Sequence, residues 1–424
     1  MFSAALAAAL AAGPAHGEVI GKMETPSALS EARLSSLVGT ERAAWQAYLD
    51  RSRSLLAADQ AALAAERQEA PAPAAAASAP EKSGNGMSLK QPAAWYATPE
   101  ALRVADNIVS YQTPAGGWGK NVNRSGPPRQ RGESYVHSDG GDQNGWNFVG
   151  TIDNDATTTE LRFLARAITA GGSDAAKQTV YRASFDKGLK YLFNAQYPNG
   201  GYPQVYPLAG GYHDAITFND NALANVLELL ADVARRQGDY AFVTADLSAA
   251  AGRARDLTEQ MIAASQIRVD GVRTAWCQQH DPVTLAPVGA RNFEPIALAS
   301  VESAHLVDVL MRAPTPAPPV VVAIDSAAAW LQRTVIEDRE WVHAADGSRL
   351  VAKTGAPPLW ARLYDVTTMR PIFGDRDRTI HTDVSELTPE RRNGYAWYVT
   401  SPAATLQRYT RWADKHGGTF KGSR

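Results

Sequence analysis

Cysteine is almost absent from this chain of 424 residues, with Cys277 the single one. One thiol forms neither an intrachain bridge nor a thiolate zinc cluster, so disulfide scaffolds and Cys-rich metal sites are excluded and Cys277 reads as a small buried side chain. Excess charge of one sign is missing too. Lys and Arg number 42 against 44 Asp and Glu, for a formal net charge of -2 and a pI near 6.5. No basic run of the kind that binds phosphate backbones by counterion release is present, which sets nucleic acid aside. The apolar opening MFSAALAAALAAG stops at Gly13-Pro14, short of the roughly 20 residues that cross a bilayer, so no membrane partner is expected. GxSxG, Walker and GxGxxG patterns are lacking, which removes the common hydrolase, nucleotide and dinucleotide readings. His213 and His280 stand without HExxH or other ligand spacing and read as ordinary hydrogen-bonding histidines.

What is present is an ordinary soluble composition, 45% hydrophobic and 20% charged, with 10 Trp and 15 Tyr. Residues 1–17 read as a signal peptide, with Ala15 and Gly17 at the positions a signal peptidase inspects, and predict a secreted or periplasmic protein. Residues 18–67 carry Leu34, Leu37, Trp45, Tyr48, Leu49, Leu55 and Leu56 at helical spacing and predict amphipathic helix. Residues 68–92 are rich in Pro, Ala and Ser and predict a linker or loop. From 93 to 424 the spacing predicts helices at 100–112, 155–170, 183–196, 221–236, 247–266, 295–311, 322–335 and 391–412, joined by loops rich in Gly, Pro and aromatics.

The loops repeat. SYQTPAGGWGKN (110–121) and NAQYPNGGYPQV (194–205) share Gln, Pro, two glycines and an aromatic at matching offsets, and TIDNDAT (151–157) and TFNDNAL (217–223) follow them. A degenerate third copy is expected at 278–299. A helical hairpin that cannot bury both faces alone stacks on its neighbours, so the predicted fold is all-α, an (α/α) toroid whose loops gather at one mouth.

Asp153 and Asp220, with Asn154 and Asn219 beside them, fall at predicted helix N-termini, where Asp and Asn ordinarily cap backbone amides. Recurrence in two repeats and an excess of Asp and Asn over one cap also fit a hard divalent cation held by oxygen ligands from distant segments. The same pair fits the acid and base of an inverting glycosidase. The stretch WARLYDVTTMRPIFGDRDR (360–378) packs Arg362, Arg370, Arg376 and Arg378 among aromatics without helical period. Its plain reading is a solvated loop paired to Asp375 and Asp377; its functional reading is a set of guanidinium forks for a carboxylate-bearing ligand.

These runs, with TAWCQQHD, WARLYD, PIFGDRDR and ERRNGYAWY, resemble the pectate lyases of polysaccharide lyase family 10, in order from about Trp95 to the C-terminus. The resemblance implies calcium-assisted cleavage of polygalacturonate by β-elimination, in a monomer acting on pectin. It implies Asp153 and Asp220 as calcium and substrate carboxylates, Arg376 as the base and Arg362 as a substrate-carboxylate binder, with Arg273, Arg291 and Asn154 in the substrate groove. Two other readings share the same residues: an inverting glycoside hydrolase on a similar toroid, and a non-catalytic uronate-binding protein.

Overall fold

The computed structural model describes residues 19–24, 26–69, 86–136, 149–344 and 346–416. The signal-peptide reading of 1–17 and most of the 68–92 linker lie outside them. Ten helices are seen among the described residues: α1 (Gly39–Glu69), α2 (Pro99–Ser110), α3 (Thr158–Ala170), α4 (Ala175–Ala195), α5 (Ala222–Arg235), α6 (Ala245–Ser265), α7 (Ser300–Leu310), α8 (Pro318–Arg333), α9 (Pro389–Asn393) and α10 (Pro402–His416). Short strands line the loops: β1 (Val19–Lys22), β2 (Gly150–Thr151), β3 (Val205–Tyr206), β4 (Ile216–Thr217), β5 (Arg268–Val269), β6 (Val272–Arg273), β7 (Gln279–His280), β8 (Pro287–Val288), β9 (Leu298–Ala299), β10 (Arg339–Val342), β11 (Arg349–Ala352), β12 (Trp360–Ala361), β13 (Leu363–Tyr364), β14 (Phe373–Gly374), β15 (Thr379–His381) and β16 (Tyr398–Val399).

The helices form the expected (α/α) toroid. Helices α3, α5 and α7 are buried on nearly every side, while α2, α4, α6 and α8 bury one face and wet the other. That division makes the first set the inner ring and the second the outer one, since a helix apolar all round must be surrounded. The predicted helix over 391–412 is instead broken into α9, β16 and α10. Pro402 opens a new helix at its first position, where a missing amide is harmless.

The loop repeat is exact at the level of hydrogen bonds. Gln112 Nε2 donates to Gly116 O and across to Ser184 O of α4, and Gln196 Nε2 donates to Gly200 O and to Ala254 O of α6. The third copy lies earlier than 278–299. Gln266 Nε2 donates to Thr274 O and to Ala323 O of α8, so the copy begins at Gln266, and a longer loop holding the β5–β6 hairpin hides it from a sequence alignment. Each glutamine thereby ties the end of one outer helix to the next.

The N-terminal segment shares the toroid's core. Trp45 and Tyr48 of α1 meet Tyr197 with ring centroids 5.1 and 4.8 Å apart, and Tyr48 OH donates to Ala195 O. On the same helix Asp59 is fully buried and its carboxyl oxygens make no hydrogen bond of ordinary geometry, the Ala115 backbone being a weak contact. Burial lifts its pKa to about 7 against the pull of the Ala115 backbone and the Lys187 charge; Tyr135, Tyr191 and Tyr206 also sense it. Because the folded value is raised, the stability contributed by the neutral carboxyl is complete at low pH and is lost as pH rises from about 4 through 7, at about 1.4 kcal/mol per pH unit within that window. Asp59→Asn is therefore expected to raise the urea midpoint at pH 8 relative to wild type and to flatten its pH dependence. Parallel curves for the two proteins across pH 4–8 would contradict this.

Candidate active site

The mouth is assembled by a zipper between successive repeats. Trp118, Trp276 and Trp360 each donate their indole N–H to a carbonyl of the preceding outer helix, at Ile108, Ile262 and Leu331. Two residues after the aromatic of each repeat stand Lys120, Gln204, Gln278 and Arg362. The backbone carbonyls of the last three accept amides from the loop of the repeat before, from Ile152, from Phe218 and Asn219, and from Ser300. This register places side chains far apart in sequence around one opening.

Asp153 and Asp220 do not act as caps. Each lies in a single 3-10 turn with two successive positive-φ residues, Asn154 and Asp155 (φ 50° and 61°) in one and Asp220 and Asn221 (φ 49° and 62°) in the other, and the helices that follow take no side-chain cap. By this backbone match Asp153 corresponds to Asn219 and Asn154 to Asp220, so the carboxylates occupy adjacent positions of the repeat. Asn, Asp and Gly are the residues that enter the left-handed region at least cost, so Asn154-Asp155 and Asp220-Asn221 are first a backbone requirement.

Asp153 is buried and its Oδ2 accepts from Lys120 Nζ at 2.7 Å. Asp220 has Oδ2 on Asn219 Nδ2 at 3.0 Å and Oδ1 3.5 Å from Arg362 Nη2. Burial raises the Asp220 pKa, with Arg362 opposing and the Asp153 charge adding to the rise. Arg362 Nη2 is committed to the buried Glu302 at 2.5 Å, and its guanidinium lies 4.6 Å over the Tyr395 ring. Although burial disfavours its charge, Glu302, Tyr395 and Asp220 together raise its pKa, so Arg362 is a fixed cation. Gln278 Nε2 knits this side together by donating to Asn219 Oδ1, Glu302 Oε1 and Tyr395 OH.

A second basic cluster surrounds Phe293. Arg291, Arg376 and Arg391 place their guanidinium carbons 4.9, 5.3 and 4.1 Å from its ring centroid, and Arg391 is also 5.3 Å from that of Tyr395. Arg291 is paired to Glu294, and Arg376 makes a two-pronged pair with Glu390 at 2.9 Å on both arms. Its pair with Glu390 raises the Arg376 pKa. Arg391 differs: burial, reinforced by Arg376 and Arg291 and opposed by Glu390, lowers its pKa, and its Nε has no partner. Arg291 also feels Asp220, which links the two clusters. His213 sits beside Lys120 and Asp153, and burial followed by the Lys120 charge takes its pKa to about 4, so it is neutral near pH 7.

Of the residues expected from sequence, the structure therefore gathers Asp153, Asp220, Arg291, Arg362 and Arg376 around one mouth. Asn154 stands at its edge, its Nδ2 3.4 Å from Asn121 Oδ1. Arg273 shares no partner with these residues; its guanidinium donates to Ala263 O at the end of α6. Lys120, Gln278, Glu302, Arg391 and Tyr395 were not singled out from sequence as site residues. The repeat offset that produces Arg362 also produces Lys120 and Gln278; in the aligned loops it was legible only for Lys120 and Gln204.

Comparison with known proteins decides the family. The family model described as pectic acid lyase matches residues 112–406, most of the chain. This chain is a family 10 polysaccharide lyase. Solved structures of the family 10 polysaccharide lyase from Cellvibrio cellulosa resemble it throughout the toroid. One shares 31% identity and a TM-score of 0.65, covering 79% of this chain and 99% of its own. An aspartate-to-alanine mutant of that lyase, in complex with trigalacturonic acid, shares 30% identity with the same TM-score, covering 77% and 95%. No curated protein matches the chain. No helix among the described residues of this lyase is long and apolar enough to cross a membrane.

Proposed function

We propose that this lyase is an exported, calcium-dependent pectate lyase that cleaves polygalacturonate by β-elimination. The observation that carries the reading is the mouth itself: two coupled carboxylates, Asp153 and Asp220, facing fixed or pairable cations at Lys120, Arg291, Arg362, Arg376 and Arg391. A neutral sugar has little use for such a mixture, whereas a polyuronate has a carboxylate on every ring for the arginine forks. The bound trigalacturonic acid of the Cellvibrio relative supports the same substrate class.

The donor set fits calcium, being all oxygen. Asp153, Asp220 and the Asn154 amide would hold it. No group of three His, Cys, Asp or Glu residues suited to a metal is found among the described residues, so substrate and water oxygens would complete the shell. Bound calcium would supply Lewis-acid neutralisation of the uronate carboxylate, which acidifies the neighbouring C5–H. Arg362, held charged by Glu302, orients that carboxylate. An arginine of the Phe293 cluster, once it has released its own proton to solvent, takes the C5 proton as a neutral base; the C4–O bond breaks, C4=C5 forms, and the departing oxygen is protonated by water.

The family resemblance puts that base on Arg376. The pair with Glu390 raises the Arg376 pKa, so that pair must open and Arg376 must release its own proton to solvent before it can accept the C5 proton. A second reading places the base on Arg391, because Arg391 is the member of the cluster whose pKa is lowered. The test of the function is absorbance near 235 nm on de-esterified pectin. An unsaturated product that disappears with chelator and returns with calcium is expected. Reducing ends without that absorbance would mean hydrolysis instead, and binding without any product would mean a uronate-binding protein.

A further inference from the structure

The segment before α1 crosses the mouth rather than trailing from it. Strand β1 adds to the outer edge of β15, with Lys22 opposite Thr379 and Gly21 opposite Ile380, and β15 in turn pairs with β14. The turn between β14 and β15 is Asp375–Arg378, the turn that carries Arg376. Its hydrogen bonds run from Asp375 N to Thr379 O and from Arg378 N to Asp375 O, and the Met23 amide donates to Arg378 O at 2.9 Å. Without β1 this turn would be the tip of a two-stranded hairpin with strands of two and three residues, a unit marginal by itself.

Further along, the same segment fastens the other loops of the mouth. Met23 is buried against Gly289, two residues before Arg291. The Leu29 amide donates to the buried Asp214 at 2.9 Å, in the loop that leads to Asp220, and Arg33 pairs with Asp281 just after β7. At the far end of α1, Glu66 accepts from Gly132 N and Tyr135 OH, both at 2.9 Å, and pairs with Arg129 in the loop after Lys120. All of residues 19–69 precede the family match, which begins at 112.

We propose that β1 is a positioning strap for Arg376. Hydrogen bonding along β15 and at Arg378 O fixes the turn from which Arg376 reaches the Phe293 cluster. Catalytic groups must be held to within a fraction of an ångström, and a side chain on an exposed turn gains that precision only from what braces the turn. The proposal rests on the reading of Arg376 as a group of the lyase site.

The test is Met23→Pro in the full chain, which removes the donor to Arg378 O, beside Met23→Ala, which removes the buried side chain and keeps the donor. Met23→Pro is expected to lower kcat on polygalacturonate about tenfold or more with KM unchanged, and to quicken amide exchange in residues 374–381. Met23→Ala should keep most of the activity. The residual kcat of Arg376→Ala should not fall further when Met23→Pro is added, because the strap acts through the side chain already removed. Unchanged kcat despite quickened exchange would overturn the proposal, as would the same loss in the Arg376→Ala background. Should Met23→Pro fail to fold, Gly21→Pro breaks the ladder opposite Ile380 without touching a side chain; failure of both makes β1 a stability element and also overturns it. A wild-type chain inactive on polygalacturonate would sink the proposed function alone. Exchange in 374–381 would then still decide the strap, quickened by Met23→Pro if it stands and unchanged if it falls.

Discussion

Asp220→Asn is expected to reduce kcat on polygalacturonate roughly 10²- to 10³-fold, an effect of the size seen when one preorganised electrostatic partner of a transition state is removed. Asparagine is the sharp substitution because it keeps the left-handed backbone at φ 49° tolerable and the side-chain shape, while removing the charge. Alanine would add backbone strain and blur the result. Stability should hardly move. The carboxylate caps no helix and touches only Asn219 and, at 3.5 Å, Arg362. Asp153→Asn should match it in activity and also release Lys120. Since burial raises the Asp220 pKa, its ionised form is lost at higher pH than for an ordinary carboxylate, and activity falls as pH drops through that raised value. The acid limb of the pH–rate profile of wild type reports it. Retained activity with a lowered melting temperature would return both residues to structural service.

The largest loss is expected from Arg376→Ala. If this side chain takes the C5 proton, kcat falls by about 10³-fold or more while trigalacturonic acid still binds, because the interaction is made chiefly in the transition state. Arg376→Lys is the informative companion: its reference pKa is about 10.4 against more than 12 for arginine, so partial rescue with the profile moved to lower pH supports proton transfer at this position. Arg391→Ala is the competing variant. Should it show the kcat loss while Arg376→Ala does not, the lowered pKa of Arg391 marks the base and the resemblance has assigned it one cluster member away. Arg362→Ala is a different experiment from what the sequence suggests. Its partner Glu302 is buried, and leaving that charge unpaired costs about 3–5 kcal/mol, so loss of fold would mask any effect on substrate binding.

Much of the toroid was legible because helical period and loop repeats are local. The Gln, Gly-Gly and aromatic signature of 110–121 and 194–205 predicts a repeated loop, and the two loops close on matching glutamine hydrogen bonds. The third copy escaped because insertion of a hairpin between Gln266 and Trp276 moves its landmarks apart without changing the contacts they make. Helix 391–412 failed for a related reason: apolar spacing over that stretch is helical, but β16 pairs with β12 and takes its centre out of the helix.

By itself, the sequence determined the class of fold and the chemical character of the mouth, because amphipathic period sets which faces are buried and residue type sets charge. It also determined the DN and ND turns, whose left-handed backbone few other residues accept. Tertiary structure alone decided which charges are free to act. Whether a guanidinium is spent on Glu302, as in Arg362, paired at the surface with Glu390, as in Arg376, or desolvated over Phe293, as in Arg391, depends on neighbours well outside its own turn or strand. The place of β1 was decided in the same way: four residues with no pattern of their own become a strand only because the edge of β15 offers unpaired backbone groups to join.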